Sequence, residues 1–451
     1  MYQICSSLNM KNDFTLHIGF DDTDSPKAMC TTFLAYKIVN YLKKELVEFL
    51  DYPYLIRFNP NIPWKTRGNG AVALYIKTNK PEKIKRKVKQ LVTKYSDTRG
   101  GANPGLVFYE ENTIPDSFSE FSKLALWKLI NRQHAKRFAI QNRLETLSLG
   151  NGQGLVGAIG AIGYKFHDHT YEVLSYRAKS KLGKKRLLDK KSVKLMQEKT
   201  YPKTFNSFDN KKNRILITPH GPDPVFFGIR GENIESILEA SKMIRTQEKP
   251  LGYMTFKTNQ GTGDHLKNEI DVFDFRPYTS GTITGIVSKT PKIERGGHII
   301  FSITTHGKEV LCAVYKPTKI TSLANQLIVG DKIKVGGGIR KATKHYQRIL
   351  NVEFLEILKL EKDLRLENPI CNKCSKKMKS KGKNQGFQCI KCGKKAVNRI
   401  IQEVNRKLKP TLYLPAVSAH RHLTRPLQRM KLLNKEEKFN ATLPWYREFR
   451  K

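Results

Sequence analysis

Apolar and polar positions change their period several times along the chain, and each change marks an element. Phe14 to Phe20 is a mostly apolar run of strand length. Beyond it Leu34, Ile38, Leu42 and Leu46 recur every fourth residue, the spacing of an amphipathic helix. Ala71–Ile76 predicts a strand, Lys83–Tyr95 a basic helix with a solvated face, Val107–Tyr109 a short strand, and Phe118–Glu145 has a helical period. These elements together predict an α/β domain of about 140 residues. Gly150-Asn151-Gly152-Gln153-Gly154-Leu155-Val156-Gly157 superficially has the look of a dinucleotide-binding pattern, but no convincing strand precedes it. The Ala-Ile-Gly-Ala-Ile-Gly run at 158–163 predicts a helix packed closely on its neighbour, and a Rossmann reading is rejected.

A strand at Tyr171–Tyr176, a solvated lysine-rich connection over Lys179–Lys199, a strand at Ile215–Ile217 and a helix over Ile234–Arg245 come next. Their order fits a ferredoxin-like unit. From Tyr278 the texture becomes short alternating strands: Gly281–Val287, His298–Thr304, Val310–Tyr315, Asp331–Val335 and Tyr346–Phe354. About five strands over roughly 80 residues predict a small barrel of OB type, a common nucleic-acid platform. The tail over Asn398–Leu408 predicts a basic helix.

Charge narrows the class. In 451 residues, 82 Lys and Arg stand against 40 Asp and Glu, a formal net charge of +42. Such a field attracts polyanions, and nucleic acid is the first partner to expect. No apolar 18-mer, lipidation signal or signal peptide is visible, so a soluble cytosolic protein without a membrane partner is expected. Cysteine usage, four clustered and Cys5, Cys30 and Cys312 scattered, reads as a metal site in a reducing compartment.

Chemistry concentrates at Asp21-Asp22-Thr23-Asp24, between the first strand and the first helix. Carboxylates at a strand end suit a hard cation, and a helix N-terminus suits an anion. The pair suggests metal-assisted phosphoryl transfer, with Thr31 or Thr32 where a phosphate oxygen would lie. An acidic surface turn followed by a capped helix accounts for the same residues. Lys65 and Arg67, in Trp64-Lys65-Thr66-Arg67-Gly68-Asn69-Gly70, are plausible phosphate or nucleotide contacts. A second loop, Thr218-Pro219-His220-Gly221-Pro222-Asp223 onward to Glu232, offers Asp223 or Glu232 to a cationic substrate, or simply sets topology. Cys371-x-x-Cys374, fourteen residues, then Cys389-x-x-Cys392 predicts a closed, structural zinc site. Lys376, Lys377, Lys379, Lys381 and Lys383 between the pairs point to phosphate. His420 and His422 are candidate ligands, with basic RNA contact or packing the alternative.

In this order the stretches IGFDDTDSPKAMCTT, NPNIPWKTRGNGA, GNGQGLVGAIGAIG, TYEVLSYR, TPHGPDPVFFGIRGE, TNQGTGDHL, the cysteine pairs and SAHRHLTRP resemble the archaeal isoleucine-tRNA agmatidine synthases (2-agmatinylcytidine synthetases), from about Leu16 to Pro426. The resemblance implies a multidomain α+β chain. Its parts would be an ATP-using kinase-like domain (1–145), a ferredoxin-like domain with the agmatine site (146–272), an OB-fold (273–362), and a zinc ribbon with a C-terminal helix (363–451). It implies an ATP-dependent ligase joining agmatine to C2 of the wobble cytidine in an isoleucine tRNA with a CAU anticodon, releasing AMP and phosphate. The family's magnesium-binding acids fall on Asp21, Asp22 and Asp24, and its autophosphorylated threonine on Thr31, with Thr32 beside it. Thr23, Lys65 and Arg67 are the expected ATP contacts. Ala28 departs from the glycine expected before Met29. The competing readings are an RNA kinase and a non-catalytic OB and zinc-ribbon RNA-binding protein.

Overall fold

The computed structural model describes residues 14–435 and 438–449. They form two compact units, one of residues up to Thr282 with Gly338–Lys341 and the segment from Ala416 onward, the other of Ile283–Gly337 and Ala342–Pro415. Among the described residues no helix is long and apolar enough to cross a membrane.

The first unit is built on one eleven-stranded sheet. Its elements are β1 (Phe14–Asp21), α1 (Thr31–Lys44), β2 (Glu48–Phe49), β3 (Tyr54–Arg57), β4 (Gly70–Thr78), α2 (Pro81–Tyr95), β5 (Gly105–Tyr109), α3 (Asp116–Trp127), α4 (Arg132–Gln141), β6 (Glu145–Ser148), α5 (Leu155–Ile162), β7 (Thr170–Tyr176), α6 (Lys190–Thr200), β8 (Thr204–Phe205), β9 (Phe208–Asp209), β10 (Arg214–Ile215), β11 (Val225–Gly231), α7 (Ile234–Lys242) and β12 (Gly252–Thr258). The main path runs β6-β5-β1-β4-β3-β12-β7-β11-β8. Parallel pairing of β3 with β12 (Tyr54 with Lys257, Leu55 with Thr258) carries the sheet across residue 145.

Strand β1 is central and covered on both faces. Leu16, Ile18 and Phe20 pack toward α1 and α2 through Leu34, Ile38, Leu42, Ile84, Val88 and Val92, all fully buried. Each such side chain contributes ~2 kcal/mol of burial. On the other face Gly19 lets α5 approach so closely that a Cβ there would stand 2.2 Å from Ala158 O. That explains the glycine and alanine content of the 150–163 run, and β6, a strand the sequence reading missed, precedes it.

Several expected boundaries move. The helical period over 118–145 breaks at Asn131, whose side chain accepts from His134 N at 2.8 Å and starts α4. Half of the lysine-rich connection is helix α6, capped by Asp189 and anchored by buried Val193 and Met196. Strand β11 occupies the second half of the Thr218–Glu232 loop.

The second unit holds β13 (Ser280–Glu294), β14 (His298–Thr305), β15 (Lys308–Val314), α8 (Thr321–Ala324), β16 (Lys332–Arg340), β17 (Ile349–Lys359), β18 (Leu364–Glu367), β19 (Lys379–Ser380), β20 (Phe387–Gln388), β21 (Lys395–Ala396), β22 (Ile400–Glu403) and β23 (Leu412–Tyr413). Strands β15-β14-β13-β16-β17 close into a five-stranded barrel by parallel pairing of β15 with β17. A Cβ at Gly337 would stand 1.9 Å from Asn351 O, so β16 and β17 pack without side-chain spacing there. The expected helix at 398–408 is instead β22, paired with β18 so that Ile401 faces Leu366. A cross-strand apolar pair outweighs local helix preference at this position.

The expected C-terminal helix is absent among the described residues. From Ala416 the chain belongs to the first unit, and β24 (Tyr446–Glu448) pairs antiparallel with Gly252–Met254 of β12. Trp445 is buried against Phe49, Tyr52 and Phe439.

Candidate active site

The acidic turn leaves the C-terminal end of β1 and separates two cavities. Asp22 sits at φ 54°, a left-handed position that aspartate tolerates. Ser25 pins the turn: its Oγ donates to Asp97 at 2.5 Å and accepts from Lys27 N at 2.9 Å. Asp21 and Asp22 face a cleft of about 560 Å³, counted to its open mouth, lined by the polar Lys65 and Lys128 and the apolar Phe58, Ile62, Trp64 and Val156. Asp24, Thr31, Thr32, Arg67 and Asp223 face a larger cleft of about 1900 Å³, counted to its open mouth. Thr66 lines both and donates to Asp24 Oδ1 at 3.1 Å.

Electrostatics differ on the two sides. Burial, reinforced by the charges of Asp22 and Asp24, pushes the Asp21 carboxyl well up, and burial with the charge of Asp24 pushes Asp22 up to about 7. Asp21 reaches its place because α5 has glycine at 157, where a Cβ would stand 1.9 Å from Asp21 Oδ2. Burial raises Asp24 too, opposed by Arg67, whose Nη1 is 3.2 Å from Asp24 Oδ2. Arg67 also lies 3.8 Å from Asp223 Oδ2 and donates to Met29 O at 2.8 Å and Ser25 O at 3.1 Å. Asp223 is buried, pairs with Arg186 at 3.3 Å and accepts from Val225 N at 3.0 Å, while its Oδ2 makes no hydrogen bond.

Not every expected residue gathers here. The three aspartates form no single cage, because Asp24 turns to Thr66, Thr31 and Arg67, leaving Asp21 and Asp22 as the pair. Thr23 is fully buried, lines neither cavity, and donates to Thr31 Oγ1 at 3.1 Å. Thr31 donates in turn to Asp24 at 3.4 Å. Glu232 also lines neither cavity: it pairs with Arg429 Nε at 2.7 Å and accepts from Asn434. Glu172 was missed, although an acid inside the apolar Tyr171–Tyr176 strand is a visible signal. It is buried in the larger cleft, 3.0 Å from Arg230 and 3.9 Å from Arg57.

The four cysteines of the second unit bring their sulfurs within 4.8 Å of one another. Two matching knuckles hold them: Ser375 N donates to Cys371 O at 2.7 Å, and Gly393 N to Cys389 O at 2.9 Å. This donor set and spacing fit tetrahedral zinc with no open position. Another acidic group, Glu82, Glu110 and Glu145, is held by the Lys85 ammonium, with Lys89 on Glu145 as a second cation.

Comparison with known proteins follows the same division. Family models match at 17–151 (TiaS TCKD domain), 152–265 (TiaS FLD domain) and 368–408 (TiaS C-terminal zinc ribbon domain). A Cenarchaeum symbiosum protein, the isoleucine-tRNA 2-agmatinylcytidine synthetase TiaS, is 46% identical over 430 residues, covering 95% of this chain and 96% of the relative. The chain belongs to the isoleucine-tRNA 2-agmatinylcytidine synthetase family. The Methanocaldococcus jannaschii synthetase is 39% identical over 429 residues, covering 93% and 99%. A solved complex of TiaS with its isoleucine tRNA and ATP matches with TM-score 0.83 at 32% identity, covering 95% of this chain and all of that one. A complex of TiaS with the same tRNA, AMPCPP and agmatine matches with TM-score 0.81 at 30% identity over the same shares. The synthetase TCKD match contains the acidic turn, Lys65 and Arg67; the FLD match contains Glu172 and Asp223.

Proposed function

We propose that the protein is an ATP-dependent ligase that joins agmatine to C2 of the wobble cytidine of the isoleucine tRNA with a CAU anticodon, with AMP and phosphate as the other products. The observation that carries the reading is the acidic turn as a partition. On one side two buried carboxylates face an aromatic-lined cavity; on the other a buried carboxylate oxygen, Asp223 Oδ2, lacks a hydrogen-bond partner. The kinase-like part takes the nucleotide in the smaller cavity, with its base on the Phe58 and Trp64 side and its phosphates toward Lys65 and Thr66. The ferredoxin-like part supplies Asp223 to the cationic amine, which a carboxylate with a free oxygen suits. A cytosine carbonyl oxygen is a poor leaving group, so a phosphoryl group is transferred to it and departs with that oxygen as phosphate when the amine displaces it. A second phosphoryl group ends on water as phosphate, and the nucleotide leaves as AMP. Thr31, hydrogen-bonded into the partition, is the autophosphorylation position, and Arg67 balances charge between Asp24 and Asp223. The OB-type barrel and the lysine-rich ribbon hold the remaining RNA through phosphates and shape.

Asp21 and Asp22 are the residues to hold magnesium, because two buried carboxylates this close ionise together only beside a cation. When bound, magnesium neutralises phosphate charge. A pH dependence follows. Asp22 titrates near 7 in the folded chain and near 3.8 unfolded, so the folded state keeps an extra proton between those values. The stability this proton confers is present below 3.8 and lost as pH rises through 7, while a cation must displace it. Manganese affinity, followed by its paramagnetic signal, should rise with pH through 7, by about tenfold per unit for each carboxyl proton the cation displaces. The Asp22→Asn variant should bind weakly at every pH; a wild-type affinity independent of pH would refute the assignment.

The function itself is tested by incubating the protein with ATP, magnesium, agmatine and an unmodified CAU-anticodon isoleucine tRNA, then weighing the digested nucleosides. The expected product is a cytidine heavier by agmatine minus water, appearing with AMP. ADP as the nucleotide product with no conjugate would mean a kinase; binding without ATP consumption would mean a plain RNA-binding protein.

A further inference from the structure

The segment Ser418–Pro426, marked by its two histidines, has no part in the proposed function so far. In the catalytic unit it lines the larger cleft through Ser418, His420, Arg421 and His422. His422 fixes it there. Its Nδ1 lies 2.9 Å from Arg230 Nη2 and 2.8 Å from Gln260 Oε1. Gln260 Nε2 donates to Glu172 Oε2 at 2.6 Å, and Arg230 Nε donates to Glu172 Oε1 at 3.0 Å. Four side chains, from β7, β11, the loop after β12 and the C-terminal segment, thus close a ring in the cleft wall. Nδ1 makes one of its two contacts as a hydrogen bond in either tautomer, and so ties the segment to Arg230 or to Gln260, both of which are held by Glu172.

The other edge of the imidazole lies against Gly68. A Cβ added there would stand 2.5 Å from His422 Cδ2 and 2.7 Å from Nε2. The loop carrying Thr66 and Arg67 therefore seats on the imidazole with no room to spare. Arg67 in turn bridges Asp24 and Asp223.

We propose that His422 is a positioning residue for the amine substrate: it locks the Glu172–Arg230–Gln260 wall to the Thr66–Gly70 loop and so holds Arg67 between Asp24 and Asp223. The inference rests on the reading of the larger cleft as the amine site. The geometry speaks against proton transfer by His422, since Nδ1 is engaged in the ring and the Nε2 edge is covered by Gly68. Burial and the charges of Arg57 and Arg230 also keep the imidazole neutral. A neutral ring accepts from Arg230 or donates to Gln260, according to which nitrogen carries its proton.

The test is steady-state conjugation by the full chain with agmatine varied. His422→Ala should raise the KM for agmatine about tenfold, as expected for losing a hydrogen bond to a charged partner, with a smaller change in kcat. Asparagine offers an acceptor and a donor where Nδ1 stands, so His422→Asn should restore the wild-type KM. His422→Gln, which reaches the Nε2 position, should not. Gly68→Ala should raise KM alone yet add less in the His422→Ala background, where the two imidazole atoms it strikes are gone and only Arg57 Nη1, at 2.8 Å, remains in its way. An unchanged KM in His422→Ala, or kcat lost at unchanged KM in both His422→Ala and His422→Asn, would overturn the proposal. A wild-type protein that forms no conjugate would instead sink the amine-site reading beneath it.

Discussion

Replacing Asp21 or Asp22 by asparagine should lower agmatine conjugation by about a thousandfold, the loss expected when charge stabilisation at a phosphoryl transition state is removed. The affinity for tRNA should stay within about twofold, because one charge out of a field of +42 contributes little to polyanion binding. Asparagine has the shape of a protonated aspartate, and both carboxyls are pushed toward that form by burial and by neighbouring carboxylate charge. The variants should therefore fold as well as the parent. Without divalent cations at pH 8 they should melt somewhat higher, since one of two buried carboxyls that resist ionisation has been replaced by a side chain that never ionises. Loss of activity with preserved or raised melting temperature separates a chemical role from a structural one. Normal turnover in both variants would remove the metal assignment. Asp24→Asn should behave differently: Asp24 pairs with Arg67, and its loss leaves that guanidinium without its nearest acid and disturbs the amine side first.

Local signals read well in this chain, and long-range pairings did not. Helix α1 was legible because Leu34, Ile38 and Leu42 follow one period, although Leu46, the fourth of that series, falls exposed beyond its end. The zinc cage was legible because thiolate chemistry demands one spacing. The acidic turn was legible as a cluster of acids at a strand end, but not as a partition. Nothing in Asp21-Asp22-Thr23-Asp24 says that Asp24 will face Thr66 and Arg67, some forty residues later, while its neighbours face the other way. Glu232 reads as a free acid in a rigid loop, yet its partner Arg429 comes from the far end of the chain. The tail misled for the same reason. Residues 398–408 carry helix-compatible residues, but Ile400–Glu403 pairs as a strand with Leu364–Glu367, more than thirty residues earlier. Likewise Trp445 has no local cue that it fills a core begun by β1 and α1.

That return of the C-terminal segment also dictates how the RNA-binding role of the ribbon is to be tested. Truncation after about Leu366 would remove His422, Arg429 and Trp445 along with the cysteines, and so cut into the catalytic unit. Removing the zinc is the cleaner operation. The ribbon buries little besides Cys371, Met378, Phe387 and Cys389, so its fold rests on the metal. Structural zinc contributes on the order of 10 kcal/mol to modules of this kind. Cys371→Ser with Cys374→Ser, or stripping by a strong chelator, should unfold the segment from about 368 to 408. A cobalt-substituted protein should lose its thiolate-to-metal absorption in the same step. The affinity for tRNA should then fall about 10- to 100-fold at low salt as the lysine-rich loop loses its fixed geometry. The log–log salt dependence should flatten by about one unit for each phosphate that the loop no longer neutralises. Nucleotide and agmatine binding should persist, because both cavities are lined by the first unit alone. Unchanged tRNA affinity with the cobalt signal abolished would show that the ribbon is not an RNA-holding element, and would leave that task to the barrel and to the basic surface of the catalytic unit.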